Sequence, residues 1–224
     1  MLDQEWWDWL IITNKKEVVT SSNWIGLFVL IGGYLLGSCL PADWVARLKT
    51  GHSMQELNEN PGAAGAYRKA GFWAAALVTF FDIGKGMLPI ALADRFGLSG
   101  PWLVASACAP VIGHNWPIYK GFRDGGRGMA TAMGGALWLG WPSILPGLGV
   151  GVVLVLWKRW APWIGVVGLP LGFVGMALAG VEASRLWAVV ALLFLMLLRQ
   201  IPWISDQLKN HQNMGKFLPP NKSW

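Results

Sequence analysis

The sequence predicts an all-helical integral membrane protein of about seven transmembrane helices, with its N-terminus outside and its C-terminus cytoplasmic. Three observations carry that prediction. Only 13% of the 224 residues are charged, against roughly 25% in an ordinary soluble domain. Apolar runs recur near residues 24–47, 71–92, 99–117, 127–140, 142–158, 162–179 and 183–199, and about 20 apolar residues carry a helix across a bilayer core. Basic charge also alternates between connections. Lys plus Arg minus Asp plus Glu gives −2 for residues 1–22, +2 for 47–70, 0 for 93–98 and +2 for 118–127. It then gives 0 near 141, +2 at Lys158 and Arg159, 0 at Glu182 and Arg185, and +3 from Arg199 onward. Basic connections on every second turn orient an odd number of spans with the C-terminus in the cytoplasm.

The net charge of +6 is therefore a topology signal, and no nucleic-acid partner is expected because no readable nucleic-acid module accompanies it. The expected location is the cell membrane, with membrane lipids as neighbours.

Residues 1–22 read as an interfacial segment: Trp6, Trp7 and Trp9 with Leu10, Ile11 and Ile12 supply apolar mass. The segment lacks the basic start of a signal peptide. Residues 23–205 read as one membrane domain and 206–224 as a cytoplasmic tail. Cys39 and Cys108 lie inside apolar runs, so no disulfide is expected. The chain holds 16 tryptophans. Most lie near span ends, where an indole suits the headgroup region; the rest are open to a partner-facing or pigment-facing reading.

Gly32, Gly33, Gly37, Gly134 and Gly135 suit close helix approach in lipid. Pro41, Pro89, Pro110 and Pro170 should bend or end their helices. The loops 48–70 and 118–127 are long, carry glycine and fall on the same side of the membrane.

Those loops hold the candidate chemistry. In the run from Gly113 to Thr131, Gly125, Gly126, Arg127 and Gly128 precede a span among Lys120 and Arg123. Backbone N–H groups at a helix start, with cationic side chains, form a phosphate site. A tight turn with snorkelling basic residues is the other reading. The stretch Asn58 to Gly71 repeats the theme with Gly62, Gly65, Arg68 and Lys69, and Glu59 adds a negative charge. Asp82 and Lys85 stand three apart in an apolar run, where ionisable groups face a polar cavity or each other. His114 is readable as an acid, a base, a phosphate donor or an ordinary hydrogen-bonded side chain.

In order, Gly37–Pro41 (GSCLP), Asn60–Gly71 (NPGAAGAYRKAG), Asp82–Pro89 (DIGKGMLP), Gly113–Gly134 (GHNWPIYKGFRDGGRGMATAMG) and Trp157–Trp160 (WKRW) resemble the acyl-phosphate-dependent glycerol-3-phosphate acyltransferases of bacteria. The resemblance runs over about residues 25–205. It implies a seven-helix bundle with a cytoplasmic-side site for two phosphate-bearing substrates, and acyl transfer to glycerol 3-phosphate without metal or other cofactor. Substrate- and phosphate-binding candidates on that basis are Ser38, Asn60, Gly62, Lys85, His114, Gly125, Gly126 and Arg127.

The chain departs from the family pattern at several donors. Asn58, Ala64 and Gly65 stand in the phosphate loop, Asp124 is inserted, and Arg123 and Arg127 replace lysines. Pro162 and Gly165 stand where serines are expected, and Gln200 and Trp203 where a histidine and an asparagine are expected. Losing an oriented donor costs on the order of a hundredfold in rate. These losses point to a non-catalytic relative, a structural or lipid-holding subunit of a larger membrane complex. The alternative is an active enzyme that makes lysophosphatidate for phospholipid biosynthesis.

Overall fold

The computed structural model describes residues 22–158 and 163–217, with side chains for 23–158 and 163–201. The readings of Trp6, Trp7, Trp9, Pro162 and the Trp203 side chain lie outside these. Among the described residues the order is α1 (Ser22–Ser38), α2 (Pro41–Thr50), α3 (Ala63–Ala70), α4 (Phe72–Arg95), α5 (Pro101–Asn115), a 3-10 turn (Ile118–Lys120), α6 (Met129–Lys158), a π turn (Ile164–Gly168), α7 (Leu169–Leu178) and α8 (Ala183–Phe217). Four stretches, Asn23–Thr50, Phe72–Arg95, Met129–Lys158 and Ala183–Ile201, are long and apolar enough to cross a membrane, and Ile164–Leu178 is shorter.

Proline explains where the elements break. The first apolar run, read from sequence as one span, divides at Cys39 and Leu40. Pro41 has no N–H to donate to the Gly37 carbonyl and crowds it, and Leu40 before it is extended, with φ −111° and ψ 90°. The fourth and fifth runs meet at Gly140, where the backbone leaves the helix at φ −171° and ψ 57°. Pro142 cannot bond to the Trp138 carbonyl, so α6 has two arms. Pro170 likewise withholds a donor from Val166, and the chain widens there into the π turn.

Two crossings need glycine. A Cβ on Gly37 would strike the Pro110 carbonyl and one on Gly113 the Tyr34 carbonyl, so α1 and α5 touch backbone to backbone. On α4, a Cβ at Gly86 would strike the Thr131 carbonyl of α6, and one at Gly134 the Ile83 carbonyl. In lipid, where apolar burial does not hold helices together, such contact does.

The main core joins Ile90, Leu103, Val111, Leu139, Ile144, Leu169, Met176, Leu192 and Met196. A smaller cluster of Ala42, Ala46, Met54, Ala66 and Val78 lies beneath the 51–62 loop and fixes that loop and α3 against α2 and α4.

Candidate functional site

Lys85 is the hub. On α4 it follows Asp82 by three residues, so both side chains leave one helix face, and they are 5% and 1% exposed. The Lys85 ammonium lies 2.8 Å from Oδ1 of Asp82, donates to the Cys39 carbonyl at 2.9 Å, and lies 2.8 Å from Nδ1 of His114. The Cys39 carbonyl is there to accept because the helix breaks at that residue. An ammonium has three hydrogens and no acceptor. Nδ1 of His114 therefore accepts, and the imidazole carries its own proton on Nε2.

That Nε2 edge faces the glycine loop. Phe122, Asp124, Gly121 and Gly128 take positive φ of 63°, 53°, 62° and 68°, which folds residues 121–128 back on α5. A Cβ on Gly126 would fall on Nε2 of His114, and one on Gly125 on the Asn115 carbonyl. The sequence suggests that these glycines expose N–H groups to phosphate. In the structure the Gly126 N–H instead donates to the His114 carbonyl at 2.9 Å. Both glycines serve close approach. Arg199 on α8 clamps the same loop, donating to the carbonyls of Gly126 at 3.3 Å and Gly125 at 3.5 Å.

A cavity of about 230 Å³ opens beside this hub. Its lining includes Asn60, Gly62, Asp82, His114, Arg127 and Gln200 together with the apolar Met129, Met133 and Ile164. Burial, with Arg68 and Arg199 nearby, pushes the Arg127 guanidinium down to about 10, so it is still a cation at neutral pH. Glu59, just before Asn60, pairs with Arg68 through two hydrogen bonds of 2.9 and 2.6 Å. That pairing holds its carboxyl below the ordinary carboxylate range and offsets the negative charge the sequence places in this loop.

Gln200 is 2% exposed, and neither its amide oxygen nor its nitrogen has a partner among the described residues. The same holds for Asn115, against whose side-chain oxygen a Cβ on Gly128 would press, and for the Thr131 hydroxyl. Buried polar groups in this condition are rare and call for an explanation.

A second cavity of about 560 Å³ is lined by Ser38, Cys39, Asp43, Arg47, Gln55, Tyr119 and Lys120 among others. The Ser38 hydroxyl donates to the Tyr34 carbonyl at 2.9 Å and accepts from the Ile118 N–H at 3.4 Å. Asp43 pairs with Lys120 and accepts from the Met54 N–H at 2.9 Å. The two glycine-bearing loops thus meet at one end of the bundle, as the sequence expects.

Of the eight candidates, Asn60, Gly62, His114 and Arg127 reach the smaller cavity. Lys85 stands behind it, Gly125 and Gly126 back His114, and Ser38 belongs to the larger cavity. Sequence reasoning passed over Asn115, Thr131 and Arg199, and took Gln200 only as a lost histidine.

The profile of the family described as glycerol-3-phosphate acyltransferase matches residues 27–210. The chain belongs to the glycerol-3-phosphate acyltransferase family. It is 41% identical over 131 residues to glycerol-3-phosphate acyltransferase 4 of Dehalococcoides mccartyi, covering 58% of this chain and 70% of that one. It is 33% identical over 178 residues to the glycerol-3-phosphate acyltransferase of Prochlorococcus marinus, covering 77% and 88%. Crystal structures of PlsY (YgiH), an integral membrane glycerol 3-phosphate acyltransferase, superpose on 83% of this chain and 92% of theirs. The glycerol 3-phosphate form gives a TM-score of 0.74 at 29% identity, and the lysophosphatidic acid form 0.73 at 28%. With its apolar helices, the chain is accordingly an all-helical, multi-pass protein of the cell membrane.

Proposed function

We propose that this chain is an active acyltransferase that moves a fatty acyl group from acyl phosphate to glycerol 3-phosphate. The C1 hydroxyl oxygen attacks the acyl carbonyl carbon, the bond from that carbon to the phosphate oxygen breaks, and the hydroxyl proton leaves on the released phosphate. Lysophosphatidate and inorganic phosphate result.

The observation that carries this reading is the 230 Å³ cavity, whose lining combines apolar Met129, Met133 and Ile164 with Arg127, His114 and a Gln200 amide that has no partner among the described residues. A phosphate joined to an acyl chain has that same combination. The larger cavity, with Arg47, Lys120 and Ser38, suits the small hydrophilic acceptor. Lys85 bonds Cys39 of the larger cavity and Asp82 and His114 of the smaller, and across that link a hydroxyl and a carbonyl carbon would be held for in-line attack. Such positioning contributes several kcal/mol, and donors aimed at the carbonyl oxygen contribute on the order of a hundredfold in rate.

The non-catalytic reading rests on lost hydroxyl and amide donors. Gln200 and Asn60 weigh against it by bringing amides to the cavity lining. The seven-span count and cytoplasmic site remain part of the same proposal, supported by alternating loop charge. Impermeant labelling of cysteines at Ser53 and Tyr119 in intact cells, with Cys39 and Cys108 removed, should fail at both; labelling of both reverses the orientation.

The deciding experiment gives purified protein palmitoyl phosphate and glycerol 3-phosphate and measures lysophosphatidate by mass spectrometry. Product that vanishes in Arg127→Ala supports the proposal. Glycerol 3-phosphate binding without product would return the chain to the role of a lipid-holding subunit.

A further inference from the structure

The far end of the bundle holds a third cavity, of about 580 Å³ and largely apolar, where α4 ends, α6 bends at Gly140 and α8 begins. It is distinct from the two cavities at the Lys85 end. Three hydrogen-bonded side chains from three elements are part of its lining. Arg185 NH2 lies 2.9 Å from both carboxylate oxygens of Asp94, the Trp138 indole N–H donates to Asp94 at 2.9 Å, and Arg185 also reaches the Leu139 carbonyl at 3.5 Å.

Two lines of half-buried side chains, with a furrow between them as the inferred path, run from this cavity to the candidate site. On α4, Thr79, Ile83, Met87 and Asp94 are half-buried and fall on one line at helical spacing. On α6, Met133 and Leu137 do the same, one turn apart. Thr79 and Met133 share the site cavity, while Met87 and Leu137 share the far one. The floor between the two lines is the glycine contact of Gly86 with the Thr131 carbonyl and of Gly134 with the Ile83 carbonyl.

Its length is informative. From Asp82 to Asp94 is twelve residues, about 18 Å along the helix at a 1.5 Å rise. That slightly exceeds one leaflet's share, about 15 Å, of a bilayer's hydrocarbon. A long saturated chain whose carbonyl sits at Asp82 therefore ends near Trp138. An alkyl chain cannot go further without separating the Asp94–Arg185 pair and the indole from their partners, which is costly in an apolar setting.

We propose that Trp138, pinned by Asp94 and Arg185, is the length-determining residue of this protein, the wall against which the terminal methyl of the acyl chain stops. The inference rests on the acyl-transfer reading above. It goes beyond it by assigning chain-length selection to a residue remote from the Lys85 hub.

The test uses the purified full chain with an equimolar mixture of lauroyl, myristoyl, palmitoyl and stearoyl phosphates plus glycerol 3-phosphate, and reads product chain lengths by mass spectrometry. Trp138→Ala should raise the stearoyl-to-palmitoyl product ratio by at least about four-fold, the equivalent of one further buried methylene. Met87→Trp, which narrows the furrow earlier, should shift the distribution toward lauroyl. The same variants are also read by native mass spectrometry for retention of the four matching lysophosphatidates. If the unaltered protein gives no product from any donor, acyl transfer fails and retention alone decides the chain-length proposal. An order of preference unchanged by both substitutions, in whichever readout is active, overturns it.

Discussion

The ammonium of Lys85 stands 2.8 Å from Nδ1 of His114, and this one contact leaves the Nε2 edge of the imidazole facing Gly126 of the glycine loop. Asp82, at 2.8 Å from the same ammonium, is the carboxylate that Lys85 neutralises. Lys85→Met leaves that carboxylate buried and uncompensated, at a cost of roughly 3–5 kcal/mol. Thermal unfolding in detergent should show the loss, and Lys85→Met combined with Asp82→Leu should recover most of it, because an apolar pair of similar volume replaces the ion pair. A single variant as stable as the parent would contradict the pairing. Neither variant should transfer acyl groups.

Gly84 and Gly86 give a matched comparison within one helix. A Cβ at Gly84 meets nothing within 4 Å, whereas one at Gly86 strikes the Thr131 carbonyl. Gly84→Ala should be neutral or stabilise by up to about 1 kcal/mol. Gly86→Ala should destabilise by about 1–3 kcal/mol through overpacking. Equal melting temperatures would show that α4 and α6 are not in backbone contact.

Gln200→Leu separates binding from stability. Removing an amide with no partner should leave the melting temperature unchanged or raise it, since the protein loses no hydrogen bond. If the amide serves the substrate, KM for the acyl donor should rise by about tenfold, equivalent to 1.4 kcal/mol, while kcat changes less. Unaltered KM would remove Gln200 from the site.

Glu59 supplies a pH test. Its carboxyl lies below the ordinary carboxylate range because Arg68 hydrogen-bonds its charged form. A depressed folded-state pKa stabilises above the unfolded value and is lost as pH falls through the folded value. Protection of residues 58–71 from hydrogen exchange should therefore be full above the ordinary glutamate range, decline progressively as pH falls below it, and be gone once pH is below the depressed folded value. In Glu59→Gln it should be weak at every pH; equal protection in both would dismiss the Arg68 pair as an anchor.

Much of this was legible beforehand, and the reasons differ by residue. The apolar runs, the Asp82–Lys85 pair and the meeting of two basic glycine loops follow from composition and spacing, which are local properties. Pro41 reads as a residue that bends or ends its helix, and the run 24–47 breaks just before it; the break at Gly140 falls where the runs 127–140 and 142–158 meet, and the sequence reading did not name Pro142 as its cause. Gly126 misled for a deeper reason: whether a backbone N–H is offered to a ligand depends on what lies opposite, and here the His114 carbonyl takes it. Gln200 was unreadable, since a lone amide at the end of an apolar run carries no periodicity. Its significance comes from Asn60 and Arg127, distant in sequence, closing around it.

The break at Cys39 and Leu40 has a thermodynamic corollary. Because it delivers the Cys39 carbonyl to the same ammonium that holds Asp82 and His114, one buried cation is bonded to residues that line both cavities. Any ligand that draws Lys85 toward itself changes the affinity of the other compartment, and linkage requires the effect to be equal in both directions. Whichever substrate arrives first, the factor by which it helps or hinders the second is the factor it receives in return. Order of addition can then alter the rate of complex formation but not the stability of the ternary complex.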